Sequence, residues 1–298
     1  MSEYLELARQ GKNDWWRYLI SFPAILVLWL SVGSVPVILL LAYVSMDGDP
    51  ATSFSGTGFV GVPVILEFLV TMSSFIPFLA ATLLAVRFIH ARSLKTLVTA
   101  AARIRWGRIF AGAGAWLLIA ALLSALESLL YPGRYVFTFQ PLLLLFVVFA
   151  FVLIPIQTSA EEFFFRGYLL QWMGLRWKNP WLLSFLNGAL FFLPHAANPE
   201  MATNSLLIGL GYFAMGFFFS LITLRDQGIE LALGVHAANN LFAGLFANYE
   251  VSALPSPSLF TVQTLDPAYG LISLVVGMIV FYIVFFRVTR SGSAKPLH

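Results

Sequence analysis

The sequence predicts an all-α protein, a polytopic membrane helix bundle of about eight transmembrane helices with both termini cytoplasmic. Three observations carry that prediction. Of 298 residues, 59% are hydrophobic and 10% are charged, against about 45–50% and about 25% in soluble domains. Eight apolar segments reach or approach the roughly 20 residues that a helix needs to cross the hydrocarbon core. The basic residues fall unevenly between the connections, as they do where they set membrane orientation. A soluble globule cannot hide this much apolar surface. The chain has no cysteine, which excludes disulfides, thiolate metal sites and a cysteine nucleophile.

The segments lie at about 18–45, 59–88, 107–131, 141–171, 181–197, 203–224, 229–247 and 268–288. The first is too long for the apolar region of a signal peptide and reads as a permanent helix. The fifth is short and carries Pro194 near its end. The Gly/Ser/Asp-rich stretch 46–58 reads as an outer loop, as does 248–267 with its three prolines. No internal repeat or low-complexity tail divides the chain, so 1–298 reads as one integral membrane domain.

Orientation follows from Lys and Arg. Arg9, Lys12 and Arg17 precede the first span, and Arg87, Arg92, Lys95, Arg103, Arg105 and Arg108 surround the second connection. Arg176, Lys178, Arg225, Arg287, Arg290 and Lys295 complete the same side. The opposite side has Arg134 alone, with Asp47, Asp49, Glu200, Glu250 and Asp266. This bias places both termini inside and requires an even number of spans. Trp15, Trp16, Trp106, Trp172, Trp177 and Trp181 sit near inner span ends as an interfacial belt. The net charge of +3 is accounted for by orientation, and no nucleic-acid partner is expected. The expected setting is a multi-pass integral membrane protein, in the plasma or inner membrane if the source is prokaryotic.

Ionisable groups inside a span are costly and need a reason. The fourth span holds Glu161, Glu162 and Arg166 in otherwise apolar sequence. Glu162 and Arg166 are four apart and share a helix face. Glu161 is rotated about 100° away, which leaves it without a partner on its own helix. The fifth span holds His195. The seventh holds His236 and Asn240 on one face, with Asn239 nearby and small alanines that permit close approach. Counted at about 1.5 Å per residue from the inner span ends, Glu162 lies about 14 Å deep, His195 about 21 Å, His236 about 10 Å and Asn240 about 16 Å. These groups can meet in the inner half or middle of the bilayer. Glu67 and Glu127 fall near outer ends, where they can snorkel or pair. His90 is at an inner interface and His298 ends the chain.

Two carboxylates, two histidines, an arginine and an asparagine form a hydrolase-like set. Peptide hydrolysis needs a deprotonated water and donors aimed at the developing oxyanion. Glu161 with His195 can activate the water, and His236 with Asn240 can supply the donors. The zincin pattern, the nucleophile elbow and a phosphate-cradling glycine loop are absent. No aspartates are paired across two spans.

Glu161-Glu162-x-x-x-Arg166, Phe191-x-x-x-His195 and His236-x-x-x-Asn240 resemble the three signatures of the CPBP family. That family comprises type II CAAX prenyl proteases with bacteriocin-processing and immunity-related members. The motifs occur in the family's order, and the resemblance covers about 141–247, a protease-like core. It implies an α-helical intramembrane endopeptidase acting on a peptide or membrane-protein substrate. Glu161 would activate the water with His195, His236 and Asn240 would stabilise the oxyanion, and Glu162 and Arg166 would support the site. The prenyl specificity of eukaryotic members is not carried over. No cofactor is preferred; a zinc version would use His195, His236 and Glu161, against which stand Asn240, a poor zinc ligand, and the nearby Arg166. The expected peptide is reached from the cytoplasmic side or from the bilayer. Two other classes compete: a non-enzymatic bacteriocin-immunity or membrane partner protein, and a proton-coupled carrier, which lacks an evident inverted repeat.

Overall fold

A computed structural model describes residues 2–55, 58–249 and 251–288. Glu250, Arg290, Lys295 and His298 of the sequence reading lie outside them. The architecture is helical throughout the apolar segments. Among the described residues, six helical stretches are long and apolar enough to cross a membrane: Trp15–Met46, Val64–Ile89, Trp106–Leu130, Leu142–Arg176, Ser205–Asp226 and Pro267–Arg287. The two other segments expected to span form helices of 16 residues each, short of the length a full crossing needs. These two carry His195 and His236. The protein is an integral multi-pass membrane protein, and its outward apolar side chains, such as Leu129 and Leu144, meet lipid.

In chain order the helices are α1 (Glu3–Glu6), α2 (Trp15–Val32), α3 (Val35–Met46), α4 (Val64–Ser73), α5 (Phe75–Leu84), α6 (Lys95–Val98) and α7 (Trp106–Leu130). There follow α8 (Leu142–Glu162), α9 (Leu170–Arg176), α10 (Pro180–His195), α11 (Ser205–Asp226), α12 (Glu230–Leu245) and α13 (Pro267–Ile283). The first span breaks between α2 and α3 at Gly33. A Cβ there would sit 2.2 Å from the Trp29 carbonyl and 2.9 Å from that of Ser74, so only glycine lets the first two spans cross this closely.

Several helix starts are written in the sequence. Asn179 Oδ1 accepts from the amides of Trp181 and Leu182, with Pro180 at the first helical position of α10. Asn204 caps α11 through Leu207 N at 3.0 Å. Asp266 caps α13 through Tyr269 N at 3.1 Å, with Pro267 behind it.

The core gathers where α8, α10, α11 and α12 meet, around Phe164, Phe165, Phe191, Phe219 and Val235. At the Lys/Arg-rich face, α1 and the 90–105 connection cover this core. Tyr4, Leu5 and Leu97 are all buried there, and Leu5 fits against Gly174 of α9. The C-terminal end of α13 arrives on the same face, where the Arg108 guanidinium lies 5.3 Å over the Phe285 ring. The six tryptophans of the expected belt are all exposed.

At the opposite face the connections expected as outer loops contain short strands among the described residues: β1 (Ser53–Phe54), β2 (Phe59–Val60), β3 (Tyr135–Phe137), β4 (Ala247–Asn248) and β5 (Phe260–Val262). β1 pairs antiparallel with β2, while β5 lies between antiparallel β3 and parallel β4. Pairing satisfies backbone groups that loops close to lipid cannot leave bare. Glu127 pairs with Arg134 at 2.7 Å and accepts from Tyr135 Oη at 2.6 Å, and Glu67 accepts from Phe59 N at 3.1 Å. Both outer carboxylates are thus partnered, as their positions predict.

Candidate active site

The site is built on the last turns of α8. There the helix widens into a π-helical stretch, Phe163–Leu169, before α9 continues it. Such insertions recur at functional positions because they re-aim side chains without ending the helix. Arg166 sits inside this stretch and Glu162 immediately before it. Arg166 Nη1 donates to Glu162 Oε1 at 3.0 Å, and both side chains are fully buried. Arg166 Nη2 donates to the Gly216 carbonyl of α11 at 3.2 Å. Its guanidinium also lies 4.4 Å over the Phe191 ring of α10, where the ring face attracts a cation. One arginine thereby ties α8 to α10 and α11.

Glu162 performs a second task. Its Oε1 accepts from His236 Nδ1 at 2.8 Å, which joins α12 to the cluster. The carboxylate fixes which imidazole nitrogen carries that proton and leaves Nε2 facing Glu161. His236 is buried and its ring stacks on Phe219 at 4.9 Å.

Glu161 does have a partner on its own helix, contrary to the sequence expectation. Gln157, one turn earlier, donates from Nε2 to Glu161 Oε1 at 2.8 Å. The other oxygen, Oε2, lies 3.5 Å from His236 Nε2 and makes no hydrogen bond among the described residues. Gln157 Oε1 in turn accepts from Asn240 Nδ2 at 3.0 Å. Asn240 Oδ1 accepts from Asn239 Nδ2 at 3.2 Å, and Asn239 Oδ1 accepts from Trp116 Nε1 at 3.2 Å. A chain of amides therefore runs from α7 through α12 to Glu161. Sequence reasoning missed Gln157 because it sought ionisable groups. The signal was the four-residue spacing to Glu161.

His195 occupies the last turn of α10, just after Pro194. Its Nδ1 donates to the Phe191 carbonyl at 2.7 Å, so in the neutral ring Nε2 is the acceptor. The ring stacks on Tyr212 of α11 at 4.3 Å. Tyr212 Oη donates to Glu200 and accepts from Asn198 Nδ2 at 2.8 Å. Glu200 Oε2 also accepts from Ala253 N at 3.0 Å. Glu200, expected on the outer side, is buried against the site rather than in a solvated loop. The 198–200 stretch does more than stop a helix.

Glu161, His195, His236, Asn240 and Gln157 line one cavity of about 360 Å³, whose apolar wall includes Trp29, Phe75 and Phe78. Glu162 and Arg166 stand behind that wall. The closest histidine contact of Glu161 is to His236, whereas His195 shares the cavity with it. Among the described residues, no group of three or more His, Asp or Glu side chains is placed to hold a metal ion. The set His195, His236 and Glu161 does not converge as zinc ligands. His236 Nδ1 and His195 Nδ1 are engaged by a carboxylate and a carbonyl, which leaves Nε2 as the open nitrogen of each ring.

A cavity inside a bundle of membrane helices, lined by a half-free carboxylate, two imidazoles and several amides, holds the groups that an intramembrane hydrolase needs. The comparisons with known proteins narrow it. The family model described as type II CAAX prenyl endopeptidase Rce1-like matches residues 138–242, which contain all six residues above that the sequence singled out. The uncharacterized protein YyaK of Bacillus subtilis (strain 168) is 32% identical over 264 residues, covering 87% of this chain and 87% of that one. The chain belongs to the Rce1-like family of type II CAAX prenyl endopeptidases, a family of membrane peptidases.

Proposed function

We propose that the protein is an intramembrane endopeptidase that hydrolyses a peptide bond with a water activated at Glu161. The observation that carries this reading is the divided state of the Glu161 carboxylate. Gln157 holds Oε1, while Oε2 is unbonded beside His236 in a cavity. A carboxylate held by one oxygen and open at the other is oriented yet able to take a proton.

In this reading Glu161 Oε2 accepts a proton from water while His195 Nε2 accepts the water's other hydrogen bond. The resulting hydroxide adds to the carbonyl carbon. His236, as an imidazolium whose Nδ1 proton stays hydrogen-bonded to Glu162, donates from Nε2 to the oxyanion, as does Asn240 Nδ2. The tetrahedral intermediate collapses as the proton on Glu161 passes to the leaving amine. One water is consumed and one peptide bond is broken. Glu162 and Arg166 act through His236, by holding its Nδ1 proton and its ring.

The test compares purified wild type with Glu161→Gln on a broad library of free and lipidated peptides, with and without a zinc chelator. The substitution is expected to reduce cleavage by about 10²–10⁴-fold at an unchanged unfolding temperature, and the chelator to leave wild type active. Cleavage at the wild-type rate by Glu161→Gln would remove the proposed base. Loss with chelator and recovery with zinc would replace the mechanism with a metal-dependent one.

A further inference from the structure

We infer that the cavity is served from the face opposite α1 and the Lys/Arg-rich connections, the outer face by the Lys/Arg bias, and takes an internal, uncharged or basic segment of an extended peptide. Naming a peptide as occupant rests on the peptidase reading; the face of access does not.

The cavity wall shows the direction. It includes Asn198 and Glu200 from the connection between α10 and α11. It also includes Tyr249, Ser252 and Leu254 from the connection between α12 and α13. Both connections follow helices that start at the Lys/Arg-rich face, so both lie on the far side. No residue of the 90–105, 177–179 or 227–229 connections lines it, nor does any of the first 14 residues. A second cavity of about 320 Å³ adjoins the first through Tyr249, Ser252 and Leu254, and reaches Phe59, Glu67 and Ser256 on the same side. The two form a path from Glu161 to the outer surface.

The opposite direction is closed. Arg166, Phe219, Ile222, Leu231 and Val235 are fully buried beneath the site. Below them Tyr4 Oη donates to the carbonyls of Leu97 and Arg166, at 2.5 and 3.3 Å. Gln227 Oε1 accepts from Ser2 Oγ and Tyr4 N at 3.1 and 3.0 Å. The amphipathic start of the chain is thus the floor's lower layer. A peptide arriving from the Lys/Arg-rich side would have to displace it.

The charge of the wall selects among peptides. Among the described residues, the two cavities are lined by Glu161, Glu200 and Glu67 and by no Lys or Arg. A free C-terminal carboxylate needs a cationic or multiply donating partner when it leaves water. The donors of this wall beside Glu161 are His236 and Asn240, which the mechanism above assigns to the oxyanion. A terminal carboxylate therefore competes with the reacting carbonyl for them and faces Glu161 and Glu200 besides. An internal segment, with apolar side chains against Trp29 and Phe78, fits.

The chain lacks cysteine, so single-cysteine variants report cleanly. Ala243→Cys lies in the cavity wall, Ser252→Cys at its mouth, and Ser93→Cys on the exposed 90–105 connection. Each is treated with a membrane-impermeant maleimide in intact cells and in inverted vesicles. Ser252→Cys and Ala243→Cys are expected to react at least about ten-fold faster in intact cells, and Ser93→Cys in inverted vesicles. Equal rates at Ala243→Cys, or faster reaction from the Ser93 side, overturn the access assignment whether or not the protein is a peptidase. The peptide library is then added to sealed vesicles of each orientation and to detergent-solubilised protein. Cleavage within peptides, in right-side-out vesicles and detergent only, is the expected result. Cleavage confined to inverted vesicles, or trimming only from free C-termini, overturns the substrate assignment, while the same preparation's detergent activity reports on the peptidase reading separately.

Discussion

Asp226 and Glu230, at the inner ends of α11 and α12, and Glu161 and Glu162, deeper in the bundle, are four largely buried carboxylates with arginine nearby. In the first pair every oxygen is engaged. Glu230 Oε1 accepts from Arg105 N and Nε at 3.2 and 2.9 Å, and its Oε2 from Arg105 Nη2 at 2.6 Å. Asp226 Oδ2 accepts from Arg105 Nη2 at 2.9 Å, and its Oδ1 from Arg108. Glu230 in turn holds the Arg105 guanidinium above its ordinary pKa. In the second pair, Glu161 Oε2 and Glu162 Oε2 make no hydrogen bond among the described residues. Buried polar groups in folded proteins are nearly all satisfied, and exceptions concentrate where something is bound or transformed. The inner cluster is a joint between α7, α11 and α12. The deeper one gives up stability to keep acceptors open.

The contrast can be broken by substitutions that should separate activity from stability. Asn240→Ala is expected to lower kcat about 10²–10³-fold, the usual loss for one oxyanion donor, with little change in unfolding temperature in detergent. Near-normal turnover would move the chemistry away from α12. Glu230→Ala should do the reverse. Leaving Arg105 beside a void costs about 3 kcal/mol, the low end for a broken buried pair, because Arg105 keeps 30% exposure. Chemical unfolding in detergent measures the loss, and turnover per folded molecule should stay at the wild-type value. Equal damage to both quantities would mean the joint also shapes the cavity.

Gln157→Leu sharpens the comparison on a smaller scale. It removes one hydrogen bond to Glu161, worth about 1.5 kcal/mol, or about ten-fold in rate. The loss should fall on kcat with KM unchanged, since Gln157 positions the base. A loss confined to KM would make it a substrate contact instead.

The smallest effect belongs to His90, which lies outside the spans at the inner face. It is buried, donates from Nδ1 to the Lys12 carbonyl at 2.9 Å, and faces Ser21 and Tyr168 through Nε2. Arg92 and Arg17 lie close enough to disfavour a further positive charge. Burial, with those two arginines, lowers its pKa below the ordinary value near 6.5. The unfolded chain therefore binds the proton more readily. The neutral ring's contribution is complete above about pH 6.5 and is lost as pH falls toward the folded value. Unfolding titrations of wild type against His90→Asn should show a shallower acid slope for the variant. Parallel slopes would assign the acid sensitivity to other groups.

Much of this site could be read before any fold was known. Charges in an apolar span demand a cause, and the i,i+4 spacing of Glu162 with Arg166 and of His236 with Asn240 put each pair on one face. The structure joins them as Arg166–Glu162–His236 and Asn240–Gln157–Glu161. Less was readable where uncharged residues carry the connection. Gln157 looked like one polar residue in a helix, and its role depends on two partners 4 and 83 positions away. Glu200 resembled other loop carboxylates because nothing local announces that Tyr212 and Ala253 enclose it. Two of the expected spans are shorter than the other six. α12 is enclosed by neighbouring helices, whereas α10 keeps Trp181, Phe185 and Leu193 exposed along one face, and both helices have 16 residues. The π-helical stretch after Glu162 keeps the apolar character of its surroundings and leaves no trace in periodicity.

The docking of Tyr4 also sets a schedule for biosynthesis. Its hydroxyl waits for carbonyls 93 and 162 residues further along, and its amide for a side chain 223 residues further along. Tyr4 therefore finds its partners only long after its own synthesis. Until Gln227 has been synthesised the bundle lacks its lower seal. The cluster around Glu161 closes later still, since Asn240 must also be in place to bond Gln157.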